Sequence, residues 1–374
     1  HQGIDVSPPA SAAVVDLDDA EGLLEADRMG LLRAASMAGA QVRATAAALD
    51  EGVLDAVASD SPPRTIVWMA GRGNAHTAGT ILAAILGGSV GAPFVVVSEP
   101  PMWIGALDVL ILAGDDPGEP ALVSAAATGV RRGARVVVIA PYEGPLRDAT
   151  SGRSVALPPR VPMPDDFTLT RYLAAGLAVV QVITPGAQAD LATLADQLDD
   201  EALHNSAARD LFTNPAKVLA EQMAGYDVVF AGDCAATLAL ARHAATVMLR
   251  VAHRTVAAVD LADVLVAIGT GWGRGPSSDS DELSIFHDEQ IDGPRPARTR
   301  TFVLASDAQR PEISARLRGF DDIKVVNAND VPDVVMAGGD REVPATAPGR
   351  LEQQLALLAV RLEMAAVYQR LVRG

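Results

Sequence analysis

One short pattern occurs twice along this chain, and that recurrence narrows its possible folds more than any other feature. VWMAGRGNAHTAGT (Val67 to Thr80) and VVFAGDCAATLALA (Val228 to Ala241) lie 161 residues apart. Each runs from a short apolar stretch through Ala-Gly and a few small or polar residues into an Ala-rich segment. A second echo, in the same order, pairs LILAGDDPGEP (Leu110 to Pro120) with FVLASDAQRPE (Phe302 to Glu312). Unbroken apolar runs of four to eight residues suit strands covered on both faces, and such strands alternating with helical segments imply a parallel sheet. The reading is an α/β fold of two duplicated, doubly wound parallel-sheet domains.

The intervening sequence fills in that plan. Leu23, Leu24, Met29, Leu31, Leu32 and Met37 recur at helical spacing, so Asp16 to about Val57 reads as a helical lead-in. Strands are expected at Thr65–Ala70, Phe94–Val97, Leu107–Leu112 and Arg135–Ile139, with helices over Thr77–Leu86 and Glu119–Arg132. Four prolines between Ser151 and Asp166 argue against a regular element there, and helices follow near Phe167–Ile183 and Ala187–Leu203. The second half adds strands at Asp227–Phe230 and Arg300–Leu304 and an irregular loop over Gly269–Arg298. Leu351, Leu355, Leu358, Leu362 and Tyr368 then mark a long amphipathic C-terminal helix that packs on the body or on a partner. The expected organisation is a loose leader at 1–15, a first unit at 16–185, a second at 186–348 and a terminal helix at 349–374.

Composition sets the function classes. At 374 residues, with 49% apolar and 21% charged side chains, the chain has material for two buried cores. Its formal charge of −17 repels phosphate backbones and anionic lipid, so neither nucleic acid nor membrane is an expected partner. No stretch reaches the ~18 apolar residues a membrane helix needs. The single cysteine, Cys234, excludes an internal disulfide and any site built on paired thiolates; a reducing, cytoplasmic setting is expected.

A strand that ends in glycine and turns directly into a helix gathers free amide N–H groups and the positive end of the helix dipole at one point, which suits a small anion. Two such turns are expected, at Gly71–Thr77 and Gly232–Thr237, with Gly114–Glu119 and Ser306–Glu312 beside them at the carboxyl edges of the sheets. A dinucleotide site is the competing reading, because Gly71-Arg72-Gly73 begins a G-x-G-x-x-G pattern. His76 occupies the third glycine position, however, and Phe94–Val97 leads into Ser98, not a ribose-binding acid.

Taken in order, these features resemble the proteins with duplicated sugar isomerase (SIS) domains, most nearly the bifunctional phosphoglucose/phosphomannose isomerases. The resemblance rests on WMAGRGNAHTAG at the position of a Gly-Gly-Ser loop, Pro159-Arg160 after the first sheet, Asn214-Pro215-Ala216-Lys217 opening the second half and the Phe230–Gly232 turn. It implies SIS-type, flavodoxin-like domains, a small phosphorylated sugar as ligand, no cofactor, and a homodimer, which the apolar terminal helix also suggests. The implied contacts are Gly71, Arg72, Gly73, Asn74, His76, Thr77, Gly114, Asp115, Glu119 and Arg160.

The family's serine- and threonine-rich phosphate loop corresponds here to Ala113-Gly114-Asp115-Asp116-Pro117-Gly118-Glu119, which replaces hydroxyl donors with carboxylates. The family's catalytic Glu and His find no counterpart in Met248–Arg254 or near Ile268. If the chain is an enzyme it is an intramolecular oxidoreductase, an aldose–ketose isomerase using His287, Glu289 or His253 instead. Otherwise it is a sugar-phosphate sensor or scaffold. His287, Asp288 and Asp292 match no metal-binding spacing, and no metal is expected.

Overall fold

A computed structural model describes residues 15–272, 298–330 and 349–373. The leader segment up to residue 14 and the site candidates His287 and Glu289 fall outside these residues. The helical lead-in comprises three helices, α1 (Ala20–Ala26), α2 (Leu31–Ala35) and α3 (Ala38–Asp50). The first half then runs β1 (Ile66–Met69), α4 (Gly73–Leu86), β2 (Phe94–Val97), β3 (Val109–Ala113), α5 (Pro120–Arg131), β4 (Arg135–Ile139), α6 (Gly144–Thr150) and β5 (Val155–Ala156). Helices α7 (Leu169–Ile183), α8 (Leu191–His204) and α9 (Pro215–Met223) lead across to the second half. There the order is β6 (Tyr226–Gly232), α10 (Ala235–Arg250), β7 (Ala257–Asp260), α11 (Leu261–Gly269), β8 (Arg298–Leu304), α12 (Arg310–Arg316), β9 (Ile323–Val326) and α13 (Leu351–Leu371).

Both sheets are wholly parallel, with strand orders β2-β1-β3-β4-β5 and β7-β6-β8-β9. The second order repeats the first four strands of the other sheet, so the sequence echo is a duplication of topology: β6 stands for β1 and β8 for β3. Successive residues of a strand point to opposite faces. Ile66 and Trp68 of β1 therefore join a large core shared by both halves, while Val67 and Met69 join a smaller core on the outer face. In the second sheet Phe230 and Phe302 face the shared core, and Val229 and Val303 the outer one. Burial on both faces is why these strands read as unbroken apolar runs.

Two expectations need correction. The proline-rich stretch contains a two-residue strand, β5, and a 3-10 turn at Asp165–Phe167, because Val155 and Ala156 can pair with the edge of β4 without involving a proline. Helix α13 packs on the body of its own chain, but it is buried all round and not along one apolar face: seventeen of its 21 residues are buried among α2, α7, α8, α9 and α10. Its polar residues survive burial through fixed partners. Arg361 meets Glu201 at 2.7 and 3.0 Å and donates to the carbonyls of Asn327 and Ala328, while Glu363 meets His243 at 2.9 Å. The terminal helix thus belongs to this chain's own core and lends no support to a dimer. Among the described residues no helix is long and apolar enough to cross a membrane.

Candidate functional site

The carboxyl ends of β1, β3 and β4 release the chain into three turns on one edge of the first sheet. Beyond β5 the chain returns over that edge, through Pro158–Asp166, before entering α7. Between the strand ends and this returning strap lies a cavity of about 400 Å³, bounded among others by Asp115, Pro141, Arg160, Met163, Asp165 and Arg171. Its volume is in the range of small-molecule sites, and its place, outside the carboxyl ends of parallel strands, is where open α/β sheets bind ligands.

Charge in the cavity is mixed and mostly paired. Asp115 accepts hydrogen bonds from the Tyr172 hydroxyl and from Nη2 of Arg171 at 3.2 Å, and the Arg171 guanidinium lies 4.2 Å from the Tyr172 ring centroid. Burial pushes the Tyr172 hydroxyl well above its usual value, so it stays a donor. Burial, and then the neighbouring Asp115 charge, pushes the Asp165 carboxyl up. Asp166, next in sequence, binds Arg250 from α10, which ties the strap to the second half. Arg160 grips Glu51 at the end of α3 with two bonds, at 2.9 and 2.6 Å.

The expected contact residues divide into several groups. Asp115 and Arg160 line the cavity. Gly114 is buried at the end of β3, and Arg72, on the neighbouring turn, lies 3.7 Å from Asp116. Glu119 reaches back across the edge: a Cβ on Gly71 would lie 2.5 Å from its Oε1, so a carboxylate stands at the mouth of the first glycine turn. Gly73 begins α4 with a positive φ of 64°, and no side chain caps that helix. Asn74 is 8% exposed and turned inward, donating to the Asp165 carbonyl at 2.7 Å and to Thr168 at 3.3 Å, so it anchors the strap. Thr77 bonds back to the Gly73 carbonyl, and His76 is exposed on the first turn of α4.

His253 is not brought to this cavity. It sits just past the end of α10 with a positive φ of 53°, its Nε2 accepting from Arg370 at 2.9 Å. Three residues that shape the site were not anticipated from sequence: Asp165, Arg171 and Tyr172. The available signal was Arg171 itself, the one charge in LTRYLAAGLAVVQVI. A cation in so apolar a helix needs a buried partner.

The second edge is built differently. A Cβ on Gly232 would fall inside contact distance of the Thr237 and Leu238 backbone, 2.6 Å from the Leu238 Cα, so α10 packs directly on the strand end. Oγ1 of Thr237 accepts from the amides of Asp233 at 3.1 Å and Cys234 at 3.2 Å. Burial pushes the Cys234 thiol up, but hydrogen bonds from Thr237, Gln309 and the Ala236 amide together outweigh it and leave the thiol below its usual value. Arg316 covers Asp233 at 2.9 Å, and the Asp307 amide donates to Gln354 of α13 at 2.8 Å. The Asp233 and Cys234 amides are thus spent within the chain. Among the described residues no group of three His, Cys, Asp or Glu side chains is arranged around a common metal position.

No protein-family model matches the sequence, and no curated protein matches it. Solved structures do. A tagatose-6-phosphate ketose/aldose isomerase of Escherichia coli superposes with a TM-score of 0.57 at 18% identity, over 98% of this chain and 95% of that one. The C-terminal domain of glucosamine-fructose-6-phosphate aminotransferase of Francisella tularensis gives 0.55 at 11% identity, over 94% and 96%. A glucose-6-phosphate isomerase-like protein of Thermus thermophilus gives 0.50 at 20% identity, over 96% and 94%. Taken with the repeated strand order, these likenesses give the chain the double SIS fold of the phosphosugar isomerases, along nearly its whole length.

Proposed function

We propose that this protein binds a small phosphorylated sugar in the cavity at the carboxyl edge of its first sheet. The observation that carries the reading is the cavity's wall, which offers guanidinium and carboxylate groups together at the ligand-binding edge of a SIS fold. Arg160 is the phosphate contact: its partner Glu51 is 55% exposed at the side chain, so solvent screens the pair and the same guanidinium fork can take a phosphate in place of the carboxylate. Arg72, paired with Asp116 on the surface, is a second cation within the same edge. Asp115 and Asp165 accept from sugar hydroxyls. Asp115 and Glu119 keep the phosphate off the loop where the resemblance would put it, by like-charge repulsion.

Thermal shift tests this directly. Hexose 6-phosphates at concentrations far above Kd should raise Tm, since a ligand at ~100 Kd adds about 2.7 kcal/mol. The unphosphorylated hexoses and inorganic phosphate alone should do less, and Arg160→Met should remove most of the difference. No stabilisation by any phosphorylated sugar at millimolar concentration would overturn the proposal.

One observation favours a catalytic version. Asp165, its carboxyl raised by burial and by Asp115, borders the same cavity, and a carboxyl shifted toward neutrality suits proton transfer. Solvent-deuteron exchange at C2 of a bound hexose 6-phosphate, lost in Asp165→Asn, is the expected sign; absence of exchange in the unaltered protein assigns binding alone.

A further inference from the structure

A second and much smaller recess, which Asp115 does not border, lies between the strap and α3. Residues of α3 (Gln41, Thr45), Leu157, Arg160 and Val161 of the strap and Arg171 bound it, with Ala44 beside them, and the centre of a water molecule has about 20 Å³ to move in. Two buried side chains meet there with hydrogen-bonding capacity that no protein group uses. Gln41 is 2% exposed; its Nε2 donates to the Phe167 carbonyl at 2.9 Å, which leaves Oε1 without a protein partner. Arg171 is 7% exposed; Nη2 goes to Asp115, which leaves the buried Nε–H and Nη1–H without one. Turning the Gln41 amide over would set its oxygen against the Phe167 carbonyl, so the orientation is fixed.

We infer that this recess is a built hydration site in which one ordered water accepts from Arg171 and donates to Gln41 Oε1. Size and chemistry agree on the occupant. A water needs ~10–15 Å³ on this measure and two to four polar partners. A cation would be repelled by the guanidinium, and an anion, having no proton to donate, would leave Gln41 Oε1 unpaired; water both accepts and donates at this scale. The consequence is that Gln41, which does not border the large cavity, is a positioning residue. Through the water it holds the plane of Arg171, and Arg171 holds Asp115 at the cavity wall. Only this last consequence rests on the proposed ligand.

The test is a crystal structure at a resolution that shows ordered solvent, joined to two variants. The expected result is one solvent peak within about 3.2 Å of Gln41 Oε1 and of Nε or Nη1 of Arg171. An empty recess, or Arg171 donating straight to Gln41, overturns the inference. Ala44→Val fills the recess and leaves both polar groups in place. Displacing a bonded water should lower Tm, whereas filling a dry void would raise it, and a rise would contradict the inference. Gln41→Met should remove the peak and weaken hexose 6-phosphate binding several-fold. A peak in a protein that binds no phosphorylated sugar would leave the hydration site standing and the functional proposal refuted.

Discussion

The two sheet edges carry one repeated pattern and are built differently. At the first edge the strap stands off the strand ends, α4 starts without a side-chain cap, and a cavity remains. At the second, α10 lies against Gly232, Thr237 takes the turn amides, and Arg316 and Gln354 close what is left. The lesson is that a strand–glycine–helix signature predicts an amide-rich turn but not where its hydrogen bonds go; one threonine in the first helical turn is enough to consume them.

Glycine substitution breaks the comparison most sharply. Gly232→Ala drives a Cβ into helix backbone that cannot yield, and should cost about 3 kcal/mol or more in urea unfolding, as overpacking does at its upper end. Gly71→Ala meets only the tip of the Glu119 side chain, which can swing aside, so its cost should stay below about 1 kcal/mol. Equal losses at the two positions would refute the distinction. Next in size, Thr237→Val strands the Asp233 and Cys234 amides and should cost about 1–2 kcal/mol, whereas Thr77→Val, whose hydroxyl only bonds back along its own helix, should stay near neutral. Tyr172→Phe removes one donor from Asp115 and should cost about 1 kcal/mol, read from the same unfolding curves.

The smallest effect is electrostatic. The folded-state Asp165 carboxyl lies above its unfolded value, so the folded protein holds that proton more readily, and stability falls as pH rises through the window between the two. Asp165→Asn escapes this loss. Its Tm should exceed that of the unaltered protein at about pH 7, and the gain should vanish at about pH 3, where both carboxyls are protonated. A Tm penalty at pH 7 would show that the Asp165 charge is stabilising.

Much of the scaffold is legible in the amino-acid sequence because its strands are written as unbroken apolar runs: the half-buried Phe94–Val97 and the largely buried Arg135–Ile139 are expected and found at the same boundaries. Strands β7 and β9 escape notice because Ala257–Asp260 and Ile323–Val326 are short, edge-placed and carry polar residues. The apparent amphipathicity of α13 misleads because Gln353, Arg361 and Glu363 look like a solvated face, and only tertiary partners reveal them as buried. The candidate site is half legible. Local pattern marks the glycine turns and Arg160, but Arg171 and Asp165 reach the cavity through the return of a proline-rich strap, a path with no periodicity to read. Asn74 shows the converse, a residue marked by the glycine turn whose amide is spent on the Asp165 carbonyl.

The most direct measurement of the central claim is a crystal structure of the protein grown with a saturating hexose 6-phosphate. The account predicts the sugar in the first-edge cavity, its phosphate on Arg160 in place of Glu51 and its hydroxyls on Asp115 or Asp165, with the second edge unchanged. A sugar phosphate seated at the Gly232 turn, or a first-edge cavity still holding only solvent with Arg160 on Glu51, would contradict it.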